Sequence, residues 1–237
     1  MLPSMPDQLQ RSQLSPAVRA AHLGWAVASV VATFAGAALI GIACGLITKS
    51  GSWVAFGIAI GGAFFGLGTV WYGFSRRLGW SWRDAGFVKS EHSLWHLLWW
   101  IPLAILSSGA ATGAVNALLG SEPAGNNLSA GLKISPAATI MVVLSTALVI
   151  PLVEEVAFRR VLLDWLQNSM PTWAAALITI AVFALAHGIP AVMLYIAFFG
   201  TFLVLACLWF KTLTAPLCIH IANNTVVAIT ALAGLSG

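Results

Sequence analysis

Glu154 and Glu155, followed by Arg159, set two carboxylates and a guanidinium in an otherwise apolar stretch; Phe183-x-x-x-His187 and His220-x-x-x-Asn224 add two imidazoles and an amide further on. The ends of each pattern are spaced i, i+4, so on a helix each pair shares one face. Glu155 and Arg159 are in the favourable order, acid before base, and can neutralise each other within a membrane. Glu154 is rotated by about 100° from Glu155 on an ideal helix and is left without that partner. An unpaired carboxylate in low dielectric is a natural general base, and a nearby imidazole can share a water or a proton with it. His220 and Asn224 can then donate hydrogen bonds to an oxyanion. That set suits hydrolysis of a peptide bond by activated water.

Taken singly, each group has a structural reading. An intramembrane His is commonly a hydrogen-bonder, an Asn commonly joins two membrane helices, and a Glu–Arg pair can be a purely structural ion pair. The joint pattern argues for function, because Glu154 and Glu155, with Asp164 near a helix end, are the only acids within the expected spans. Charged groups at membrane depth cost roughly 2.5–3.5 kcal/mol each on insertion scales and mark functional sites. Other chemistries are less well served. No Ser lies in a Gly-x-Ser-x-Gly setting and no His-Glu-x-x-His is present, although two His and a Glu leave zinc as an open alternative.

The elements that must hold these groups are membrane helices. Of 237 residues 59% are hydrophobic and 8% charged, against about 25% charged in a soluble domain. The apolar runs reach the length of about 20 residues that spans a bilayer as a helix. The expected fold is an all-α polytopic bundle of about seven transmembrane helices, near residues 23–47, 53–74, 94–119, 136–167, 172–187, 190–210 and 213–235. Pro102 is a candidate kink, Pro136 opens the fourth helix at its first turn, and Gly57, Gly61, Gly62, Gly66 and Gly68 allow close helix packing. The chain divides into a cytoplasmic N-terminal arm (1–22, with a short interfacial helix at Pro16–His22), N-terminal helices and loops (23–135), and a C-terminal catalytic domain (136–237). Residues 120–135 form a polar loop on the outer face.

The net charge of +4 does not indicate nucleic acid, because the basic residues are spread between apolar segments. They report topology. With the N-terminus in the cytoplasm and seven spans, only Lys49 and Lys133 fall outside and the other nine lie at inner segments or helix ends, as the positive-inside rule requires. The expected setting is the cell membrane, with the lipid bilayer and a membrane-associated protein or peptide as partners. No cleavable signal is expected, and Cys44, Cys207 and Cys218 read as buried small hydrophobes.

Asn168 to Pro171 reads as a turn that brings Glu154 and His187 to nearly one depth. His220 lies only about 13 Å along a helix from Lys211, which leaves about 10 Å of depth unaccounted for on ideal-helix arithmetic.

The three ordered motifs, over roughly 136–235, resemble those of the type II CAAX prenyl endopeptidase family, the CPBP intramembrane proteases. The stretch from Leu78-Gly79-Trp80 to Phe87 resembles that family's upstream loop. The resemblance implies that Glu154 activates water with help from His187, that His220 and Asn224 form the oxyanion site, and that Glu155 and Arg159 support them. It implies a glutamate mechanism without a metal cofactor, and a prokaryotic-type member whose substrate need not be prenylated. Two other classes remain: a non-catalytic bacteriocin-immunity or scaffold protein of the same family, and a proton-coupled transporter using the acid–His pair.

Overall fold

In the computed structural model, which describes residues 18–119 and 134–234, the apolar runs form helices α1 (Ala20–Thr48), α2 (Gly51–Val70), α3 (Leu97–Leu119), α4 (Pro136–Leu144, continuing to Gln167), α5 (Thr172–Leu185), α6 (Pro190–Phe210) and α7 (Thr214–Leu232). Among the described residues, six helical segments are long and apolar enough to cross a membrane. The fifth expected span, α5, has 14 residues and so reaches only about 21 Å at 1.5 Å per residue, short of a ~30 Å hydrocarbon core. It stops because Gly188 takes φ +69 and Pro190 then opens α6. The expected arm and outer loop fall largely at 1–17 and 120–133, outside the described residues. Ala20 to His22, expected in an interfacial helix, instead begin α1.

Pro136 occupies the first turn of α4, where Ser135 caps the helix by accepting from the Ala138 N–H at 3.2 Å. Pro102 lies inside α3. The rod from Pro136 to Gln167 is interrupted twice by π-helical turns, Ser145–Val149 and Glu155–Leu162. In the first, the Ile150 N–H reaches back to the Ser145 carbonyl. Continuing that pattern, the Thr146 carbonyl needs the N–H of residue 151, which is proline and has none.

The basic loop between α2 and α3 ties the halves together. Its Asp84 carbonyl accepts from Arg160 Nε at 2.6 Å, its Gly86 carbonyl accepts from the Leu213 N–H at 2.9 Å, and its Val88 carbonyl accepts from the Thr212 hydroxyl at 2.8 Å. A Cβ at Gly86 would stand 3.3 Å from both Arg160 and Leu213 side chains, so those two residues lie at one level. Two donors from Ser81 hold the Asp84 carboxyl below its ordinary range.

α1 and α2 form a tight hairpin through glycine. A Cβ on Gly36 would fall 2.5 Å from the Gly61 carbonyl oxygen, whereas one on Gly68 would meet nothing within 4 Å. The outer flanks are apolar, with Leu46 at 66%, Ile47 at 82% and Phe64 at 73% exposure, as lipid-facing positions require. Gly36→Leu is therefore expected to destabilise the protein by about 1–3 kcal/mol or more, and Gly68→Leu to leave it nearly unchanged. Thermal unfolding of both variants in detergent checks this pair.

Candidate active site

The site is built on the second π-helical stretch of α4, where the chain carries Glu155 to Arg160 fully inward. A π turn closes i to i+5, and a residue four positions on still falls on the same side of the helix. Arg159 Nη1 donates to Glu155 Oε1 at 3.1 Å with both side chains wholly buried, the ion pair expected from their spacing. The Arg159 guanidinium also stands 4.0 Å over the Phe183 ring, a cation–π contact in place of water. Phe183 in turn packs against α6 at Gly200, where a Cβ would stand 3.2 Å from the ring.

Glu155 has a second partner that the sequence did not reveal. His220 Nδ1 is 2.8 Å from the same Glu155 oxygen, and its Nε2 is 3.5 Å from Glu154 Oε2. One imidazole therefore stands between the two carboxylates. A ring with a single N–H can donate to only one of them, so two acids and one imidazole share their protons. Glu154 is the outer member, its side chain 19% exposed against 0% for Glu155.

The missing 10 Å of depth is explained by the loop. Because Gly86 holds Arg160 and Leu213 level, depth is properly counted from those two and not from the Asn168–Pro171 turn, which lies further along. Glu155 lies five residues before Arg160 and His220 seven after Leu213, about 7 and 10 Å, within one turn of each other.

His187 and Asn224 each have a backbone partner that the sequence did not reveal. His187 is half-buried at the end of α5, with Nδ1 2.9 Å from its own helix's Phe183 carbonyl, and among the described residues no ion pair joins it to Glu154. It does share the Phe183 ring with His220, at centroid distances of 5.0 and 6.0 Å. Asn224 donates through Nδ2 to the Thr146 carbonyl at 2.9 Å, the acceptor left over by Pro151. Its Oδ1 accepts from Asn223 Nδ2 at 3.0 Å, and Asn223 Oδ1 accepts from the Tyr195 hydroxyl at 2.5 Å. Asn223 and Tyr195 are polar residues that sequence reasoning missed. Asn223 could have been suspected from its place beside Asn224, and Pro151 from its place three residues before Glu154.

Among the described residues no three His, Cys, Asp or Glu side chains are gathered as a metal site. Glu155 Oε1 is taken by Arg159 and by His220 Nδ1.

Comparison with known proteins adds one finding. Residues 136–226 match the family model of Type II CAAX prenyl endopeptidase Rce1-like, a stretch that contains Glu154, Glu155, Arg159, Phe183, His187, His220 and Asn224. No curated protein and no solved structure matches the chain. Within its apolar helical bundle the chain thus carries, from Pro136 to Val226, a segment similar to the type II CAAX prenyl endopeptidase Rce1-like family of membrane proteases.

Proposed function

We propose that this protein is an intramembrane endopeptidase that hydrolyses a peptide bond of a membrane-associated protein or peptide, with Glu154 as the base. The observation that carries this reading is the unlike pair of glutamates: Glu155 is enclosed and committed to Arg159 and His220, while Glu154 is partly exposed and faces His220 at 3.5 Å. That distance is long for a hydrogen bond, which leaves the carboxylate able to take a water and the imidazole able to turn its proton to an incoming group.

In this mechanism Glu154 removes a proton from water as the water oxygen bonds to the scissile carbonyl carbon. The carbonyl oxygen becomes an oxyanion and receives hydrogen bonds from the second amide N–H of Asn224 and from His220 Nε2–H, the ring in this step carrying a proton on both nitrogens so that Nδ1–H stays on Glu155. The tetrahedral carbon then expels the amine, which takes the proton held by Glu154. His187, against the same Phe183 ring as His220, is the second polar group that orients the water. Glu155 and Arg159 hold His220. The reaction needs no metal in this reading, and the donor set supports it by spending Glu155 and His220 on each other. The protein acts at the cell membrane with its N-terminus in the cytoplasm, a placement supported by the nine basic residues at inner segments.

The purified protein in liposomes is expected to cleave a membrane-anchored reporter peptide in the presence of chelator. Glu154→Gln should lower kcat on the order of 10²–10⁴-fold, with the thermal unfolding temperature preserved. Full cleavage by Glu154→Gln would overturn the assignment and move the reading to a binding or scaffold role. The inner glutamate should behave in the opposite way. Glu155→Ala leaves Arg159 buried without its carboxylate and is expected to destabilise the protein by about 3–5 kcal/mol, read as loss of folded protein in detergent by thermal unfolding.

A further inference from the structure

Asn224 owes its orientation to a chain of side chains that begins on a different helix, at Tyr195. The polarity of that chain follows from its fixed end. Thr146 offers a backbone carbonyl, which only accepts, so the amide nitrogen of Asn224 must face it at 2.9 Å. Asn224 Oδ1 then faces away and accepts from Asn223 Nδ2 at 3.0 Å. Asn223 Oδ1 is left to accept in turn, and the Tyr195 hydroxyl, 2.5 Å away, has to donate to it. Asn223 is only 4% exposed, so water does not readily replace a lost donor there. Each end of the chain belongs to a different rod: Tyr195 to α6, the two asparagines to α7 and Thr146 to the first π turn of α4.

We infer that Tyr195 is a positioning residue, whose O–H, acting through Asn223, sets the direction in which Asn224 presents its second amide N–H. The inference rests on the reading of Asn224 as an oxyanion donor. Tyr195 itself stacks on Phe199, which stands 5.7 Å from His220, so the same side chain braces both proposed donors, one by a hydrogen bond and one through packing. Phenylalanine keeps the packing and deletes only the hydrogen bond. Without it the Asn223 amide can rotate, and Asn224 then loses the acceptor constraint that fixes its own amide.

The test uses the full-length protein in liposomes with the reporter peptide. Tyr195→Phe is expected to lower kcat on the order of tenfold with KM unchanged, and to add nothing when combined with Asn224→Ala. In protein isotopically labelled at asparagine, the same substitution should move the side-chain amide resonances of Asn224, whose hydrogen bonds go to Asn223 and Thr146, as well as those of Asn223. Fully additive losses in the double variant, or Asn224 resonances that stay in place while those of Asn223 move, would overturn the inference. The resonance measurement decides it even if the wild-type protein cleaves no reporter, a result that would count against the proposed hydrolysis alone.

Discussion

The buried carboxylate of Glu155 is the constraint to which the surrounding structure answers. A charge with no exposure costs several kcal/mol unless it is paired and hydrogen-bonded, and one oxygen of this carboxylate is met by Arg159 from its own helix and by His220 from α7. Arg159 is itself wholly enclosed and spends its flat face on Phe183 from α5, which fits against Gly200 of α6. Four helices thus meet at one ion pair. The partnership also explains why two adjacent acids can differ so much: the inner one is consumed in holding the bundle, which leaves the outer one beside a fixed imidazole.

Helix irregularity does the placing. Two π turns interrupt the long α4 rod, and each coincides with a polar feature of the site. At the second, the wider turn turns Glu155 and Arg159 wholly inward. At the first, Pro151 cannot supply the N–H that the Thr146 carbonyl needs, and that carbonyl becomes the anchor for Asn224. An orphaned carbonyl in an apolar interior is a liability; satisfying it with an amide side chain from α7 turns it into a link between helices.

Much of this was legible in the residues. The i, i+4 pairing of Glu155 with Arg159, the opening of α4 at Pro136 and the apolar spans all follow from spacing and composition, because those effects are local. His220 was the chief surprise. Ideal-helix depth, counted for Glu154 from the Asn168–Pro171 turn and for His220 from Lys211, left about 10 Å between them, and the mismatch lay in the reference levels. A non-local set of backbone hydrogen bonds from the 84–88 loop brings Arg160 and Leu213 level, and no periodicity announces such bonds. His187, expected at nearly the depth of Glu154, follows the short α5 just before Gly188, and its Nδ1 lies against the Phe183 carbonyl of that helix.

The same loop bears on what counts as a unit in this protein. The family match begins at Pro136, which invites a cut between the halves. Yet the loop before α3 supplies the partners of Arg160 Nε and of the Leu213 N–H, and its Glu91 N–H and His92 ring meet the carbonyls of Phe210 and Trp209. His92 further stacks on Trp209 at 4.1 Å. The turn that launches α7, and with it His220, is therefore shaped by residues outside the matched segment. Sequence kinship and mechanical integrity have different borders here: a fragment starting at Pro136 would keep every motif and lose the surface against which their depth is measured.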